Sequence, residues 1–142
     1  MTTTEKQPTA ASRPYLLAVV EVVVILLLLF CFAGSPPPGD DEVHYLGKAK
    51  QYWNPQWLAG DFFLETPDAH VVFNWTIGWL TLFFSLDAVA WIGRIAAWLS
   101  LAVAWRRLSW ALVPLPFASL LTMALFLIFQ EHGTAAREWI VG

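Results

Sequence analysis

YLLAVVEVVVILLLLFCFA, residues 15–33, is the stretch whose reading decides the fold. Its nineteen residues include one charge, Glu21. Coiled as a helix they rise about 28 Å, close to the hydrocarbon thickness of a bilayer. The residues before it, 1–14, are rich in Thr, Ala, Pro and Ser, carry Lys6 and Arg13, and read as a disordered tail. A cleaved signal peptide is the competing account. Its apolar core would be shorter, about 7–15 residues, and would end at small residues marking a cleavage site. Here the run is of spanning length and stops at Gly34-Ser35-Pro36-Pro37-Pro38. An uncleaved transmembrane helix is the better reading.

The rest of the composition agrees. Of 142 residues, 58% are hydrophobic and 13% charged, with mean hydropathy +0.56. Soluble domains carry about 25% charge. Nine Trp and ten Phe fit rings placed at membrane interfaces and between helices. A net charge of −3 leaves no electrostatic footprint for nucleic acid. The single cysteine, Cys31, lies in the apolar run, so no intrachain disulfide is expected.

Beyond the prolines the chain turns polar over residues 34–70 and apolar again afterwards. Residues 71–86, 88–105 and 112–129 read as a second, third and fourth span, and residues 130–142 as a tail that stops mid-pattern. The breaks are Ser85-Leu86-Asp87, Arg106-Arg107 and Gln130-Glu131-His132-Gly133. Such short connections make neighbouring helices antiparallel. The expected fold is all-α: a polytopic membrane bundle of four transmembrane helices, with amphipathic interfacial helices in the first external loop. Glu21 is expensive in lipid and is expected to face a bundle interior or a polar cavity. Trp91, Trp98 and Trp105 recur every seven residues and mark one packed face of the third span.

The loop holds the chemistry-bearing residues. Asp40-Asp41-Glu42-Val43-His44-Tyr45-Leu46-Gly47-Lys48-Ala49-Lys50-Gln51-Tyr52-Trp53 reads as an amphipathic helix with Asp40 as N-cap and carboxylates in its first turn, where the helix dipole favours them. Val43, Leu46, Ala49 and Trp53 fall on one side; Asp41, His44, Tyr45 and Lys48 share another. Asn54-Pro55 restarts the chain and Gly60 ends that turn. His44 and His70 are 26 residues apart with no metal-ligand spacing, and Asn74-Trp75-Thr76 is a glycosylation sequon at the mouth of a span.

A long first span followed by an acidic pair opening an amphipathic helix in a large loop resembles the N-terminal layout of GT-C-type glycosyltransferases, multi-pass enzymes that use polyprenyl-phosphate-linked sugars. Asp41-Glu42-Val43-His44-Tyr45-Leu46-Gly47-Lys48 resembles the acidic loop motif of protein O-mannosyltransferases, and the segment from Trp79 to Arg94 is similar to the junction of the second and third spans in that superfamily. The chain also resembles the start of a group of longer bacterial multi-pass membrane proteins. The resemblance implies a bacterial inner-membrane location, a cytoplasmic N-terminus, a lipid-linked sugar donor, and further helices from a longer chain or partner subunits. It implies Asp41 as the base that takes the acceptor proton. Glu42 would orient a neighbour or help hold a divalent cation, because on a helix it points about 100° away from Asp41. His44, Tyr45 and Lys48 become candidate substrate contacts, and Arg94 a partner for the donor phosphate.

Plainer accounts stand beside these. Asp40, Asp41 and Glu42 also suit simple helix capping, and Arg94 also suits bracing between spans. Four spans put Arg94 near the cytoplasmic end, opposite the loop, and Arg106, Arg107, Lys48 and Lys50 outside. The positive-inside count therefore does not decide orientation. A non-catalytic membrane subunit or transporter fragment whose loop binds a partner is the alternative function.

Overall fold

In a computed structural model the described residues are 12–131, apart from 38 and 68. The expectations for the 1–14 tail and for the residues after 131 fall almost wholly outside them. All regular structure among the described residues is helical: α1 (Ser12–Ala33), α2 (Asp40–Trp53), α3 (Phe62–Glu65), α4 (Val71–Thr76), a 3-10 helix (Gly78–Leu82), α5 (Leu86–Leu112) and α6 (Ala118–Glu131).

The long helices pack through residues repeating every fourth position. Glu21, Ile25, Leu29 and Ala33 form the buried stripe of α1, and Ala90, Arg94, Trp98 and Ala102 that of α5, which Arg106 continues. Ile25, Leu29, Ala33, Trp98, Ala102, Met123 and Leu127 close into one core between α1, α5 and α6. Phe30 of α1 meets Trp91 and Trp98 of α5 at 6.1 and 6.4 Å between ring centroids, and Trp91 meets Trp98 at 6.3 Å. The tryptophan face thus serves helix packing.

Two helices, Tyr15–Ala33 and Leu86–Leu112, are long and apolar enough to cross a membrane. Only 22% and 28% of their most apolar windows are buried within the protein. Their outer surfaces are instead lined by exposed Leu16, Val23, Leu27, Ile92, Ile95 and Leu99.

Three expected boundaries shift. Residues 71–86 are not one span: α4 ends after six residues and hands over to the 3-10 helix. The cause is docking on α2. Trp53 Nε1 donates to the Asn74 carbonyl at 2.9 Å. A Cβ on Gly78 would lie 2.6 Å from the Ala49 carbonyl oxygen and 2.7 Å from the Trp53 ring, so only glycine permits this approach. Leu46, Val89 and Ala90 bury a second, smaller core there with Phe73, Ile77 and Leu80. The expected third span, 88–105, is the first part of a continuous α5 that passes Arg106-Arg107 unbroken and is capped by Ser85, whose Oγ accepts the Ala88 N–H. In place of the expected fourth span stands α6, which begins at Ala118 rather than 112, because Val113–Phe117 with its two prolines forms a turn, and whose apolar part, Ala118–Phe129, is short for a crossing.

In the loop, Gly39, not Asp40, occupies the N-cap of α2, and Asp40 is its first helical residue. Leu46 and Ala49 of the expected apolar side are buried, whereas Val43 is half exposed. Residues 55–60 form turns rather than a new helix, ended by Gly60 at φ +89°.

Candidate functional site

Two acids adjoining in sequence part company on the helix. Glu42 turns toward α5, where Arg94 grips it at two points: Nε donates to Oε1 at 2.6 Å and Nη2 to Oε2 at 2.8 Å. Arg94 Nη1 donates to the Ser35 carbonyl, and Glu42 Oε2 also accepts the Gly39 N–H at 2.8 Å. The Trp91 ring lies 5.6 Å from the guanidinium carbon. The side chains are 8% and 17% exposed, so the pair is poorly screened by water. Paired guanidinium and carboxylate in this geometry make strong, charge-assisted bonds. One arginine therefore ties α2, the link after α1, and α5 together.

This corrects two expectations. Arg94 lies at the same end of the bundle as the loop, because residues 71–82 fold back on α2 instead of crossing to the far side. Its guanidinium also already holds a carboxylate and a carbonyl, so its role is to fix Glu42 and the α2–α5 contact. Both Glu42 oxygens are engaged as well, so in this structure it orients the arginine. Among the described residues no three His, Cys, Asp or Glu side chains gather in a way that would hold a metal ion.

Asp41 faces the other way. With His44, Tyr45 and Lys48 it lines a cleft of about 270 Å³, completed by Phe63 and His70 across the loop. Asp41 is exposed, and its carboxylate has no hydrogen-bond partner among the described residues. Lys48 Nζ donates to Thr66 Oγ1 at 3.0 Å and to the Thr66 carbonyl at 3.3 Å, and sits 4.7 Å over the Phe63 ring. His44 packs on Phe63 at 4.8 Å and Tyr45 stands edge-on to His70 at 5.0 Å. Four of the six candidates named from the sequence thus share one cleft, while Glu42 and Arg94 face its neighbour.

That neighbour is an apolar groove of about 560 Å³ between α2, α4 and α5. Leu46, Phe73, Ile77, Val89 and Ala90 line it, and the Glu42–Arg94 pair closes one part of its wall. Tyr45 and His70 border both groove and cleft. Phe63 and His70 carry no local sequence signal, since they reach the site only through the fold of the loop. Asn74, the sequon asparagine, is 3% exposed, so it is closed to modification in this fold.

A second ion pair lies further along α5. Arg106 Nε donates to Glu21 Oε2 at 3.1 Å, and Glu21 Oε1 accepts the Phe117 N–H at 2.8 Å. Glu21 is fully buried, and Phe117 is held at φ +63°. Arg94 and Arg106 are twelve residues apart, about 18 Å along the axis. The two ion pairs are thus separate, the first toward the loop end of α5 and the second toward its other end.

Comparison with family models, curated proteins and solved structures finds no match.

Proposed function

We propose that this chain is the loop-bearing part of a membrane glycosyltransferase that takes its sugar from a polyprenyl-phosphate carrier, with Asp41 as the base. The observation that carries the reading is the pairing of two cavities: a polar cleft containing an uncommitted carboxylate, beside an apolar groove that shares Tyr45 and His70 with it. A donor with a long apolar tail and a polar reacting head matches that arrangement. The Asp41–Glu42 motif and its place after a span-length helix support it further.

In the proposed reaction, Asp41 accepts the proton of an acceptor hydroxyl as that oxygen attacks the anomeric carbon. The bond from that carbon to the phosphate oxygen breaks, and the polyprenyl phosphate leaves with the electron pair. Phosphate is a good enough leaving group to need no strong general acid. Lys48, with two of its three N–H donors held by Thr66, is the cation nearest this chemistry along α2.

The same reading sets the solvent and the orientation. Tyr15–Ala33 and Leu86–Leu112 would cross the bilayer, since their exposed apolar faces suit lipid and their low burial does not suit the core of a soluble protein. Arg13 in the first turn of α1 and Arg106 and Arg107 toward the end of α5 lie at one end; Lys48, Lys50 and Arg94 lie at the other. That count is even, so the positive-inside rule does not decide, and the loop is taken as external from the resemblance to GT-C enzymes.

The test is consumption of a labelled polyprenyl-phosphate hexose by membranes carrying the protein, with and without Asp41→Asn. Loss of a positioned base lowers transfer by about 10²–10⁴-fold. Equal transfer by the variant removes Asp41 from the chemistry.

A second reading rests on outward apolar side chains between α1 and α5. Phe62, Val72, Trp75 and Phe83 are exposed, which also suits a non-catalytic subunit that meets a partner protein through this region. Under that reading Asp41→Asn is silent and substitution of Trp75 or Phe83 breaks an assembly.

A further inference from the structure

On the far side of α2 from the groove lies another cavity, of about 540 Å³, which the reading above does not use. Its floor is α2, through Lys48, Gln51 and Tyr52; its far wall is Leu64, Glu65, Thr66 and Pro67 with Val71 and Asn74. That volume lies within the range of small-ligand pockets, about 300–1,000 Å³.

Gln51 is the informative residue. It is only 8% exposed, and its amide makes no hydrogen bond among the described residues. The amide itself stays accessible, and it presents two donors and an acceptor to whatever enters the cavity. Tyr52 stands beside it with its ring braced by Trp53, at 5.9 Å and 71° between planes. Trp53 is itself fixed by its bond to the Asn74 carbonyl, so the aromatic wall is preorganised.

Among the described residues, the charges lining this cavity already hold protein groups. Glu65 Oε1 accepts the Gly60 N–H at 2.7 Å, and Lys48 holds Thr66. What remains for a ligand is an amide that donates and accepts, plus a fixed aromatic face. That set matches a neutral molecule bearing hydroxyl groups on one edge and C–H groups on a flat face, which describes a saccharide ring.

We propose that this cavity is a saccharide-binding site, with Gln51 hydrogen-bonding the ring hydroxyls and Tyr52 stacking on its apolar face. Gln51 follows Asp41 by ten residues, about 15 Å along α2, so the site is separate from the cleft. Lys48 borders both. An oligosaccharide seated on Gln51 would extend past Lys48 toward Asp41. Binding is read without any transfer, so its failure and the failure of the base assignment are distinguishable.

The test uses the full chain in phosphatidylcholine nanodiscs free of sugar detergents. Chitotriose, maltotriose and cellotriose are the probes, with the amide of a Ser-Thr-Ala peptide as comparison, and saturation-transfer NMR is the readout. At least one trisaccharide gives a signal with the wild type, and Gln51→Leu and Tyr52→Ala each weaken its binding tenfold or more. Should Gln51→Leu lower the melting temperature sharply, exposed Tyr52 decides alone. No signal from any trisaccharide means that the cavity holds water only, which overturns the proposal. Signals retained in both variants, or seen with the peptide alone, overturn it as well.

Discussion

The Arg94–Glu42 pair makes a quantitative prediction. Arg94→Met removes the bonds to both Glu42 oxygens and to the Ser35 carbonyl, and leaves a largely buried carboxylate facing an apolar side chain. Breaking one partner of a buried ion pair costs about 3–5 kcal/mol. Glu42 is 17% exposed and water reaches part of it, so the expected loss is at the low end, about 3 kcal/mol. Replacing both partners with apolar residues of similar size, Arg94→Met with Glu42→Leu, removes the stranded charge and returns the stability to within about 1–2 kcal/mol of the wild type. Glu42→Leu alone strands the Arg94 guanidinium at a similar cost, so the double variant is clearly more stable than the sum of the two single losses predicts. Equilibrium unfolding by SDS in bicelles measures each corner. A single Arg94→Met costing under about 0.5 kcal/mol, the level of an ordinary surface substitution, would refute the clamp.

Three further outcomes follow from the same geometry. Glu21→Ala strands Arg106 and frees the Phe117 N–H, and lowers stability by about 3 kcal/mol in the same assay, more than Glu21→Gln, which keeps a hydrogen-bonding acceptor. Gly78→Ala drives a Cβ into the Ala49 carbonyl, costs about 1–3 kcal/mol, and shifts the 3-10 helix off α2, seen as faster amide exchange around Thr81. Asp41→Asn, at an exposed side chain, changes stability by less than about 0.5 kcal/mol while lowering transfer by about 10²–10⁴-fold, so the two readouts separate.

How much of this was legible in the sequence depends on the range over which each feature is decided. Helix α1 was plain, because a nineteen-residue run with a single charge has few other fates. The face shared by Asp41, His44, Tyr45 and Lys48 followed from helical period alone, and the structure gathers those residues in one cleft. Residues 71–86 misled, since their composition resembles a span. What folds them back is the fit of Gly78 against Ala49, a contact across 29 positions that no local pattern displays. Once that segment is not a crossing, Arg94 changes ends, and its partner becomes Glu42. Arg106-Arg107 read as a stop because charge ordinarily ends a span. Glu21, 85 residues earlier, neutralises Arg106 and lets α5 continue. A hint was present: Glu21 leads the stripe of Ile25, Leu29 and Ala33, and Arg106 falls on the stripe of Trp98 and Ala102. Charges in register with a buried stripe call for a partner on the facing helix. His70 and Gln51 had no such signal, since their surroundings form only when the loop closes.

The most direct test of the central claim, that α1 and α5 cross the bilayer and the residues between them stay on one side, is cysteine accessibility. With Cys31 replaced by Ser, single cysteines are placed at Lys50, Asp87 and Arg107 and exposed to an impermeant maleimide in intact cells. The account predicts labelling from outside at Lys50 and Asp87, and at Arg107 only after permeabilisation. Labelling of Lys50 and Asp87 from opposite faces, or of all three from the same face, would contradict it.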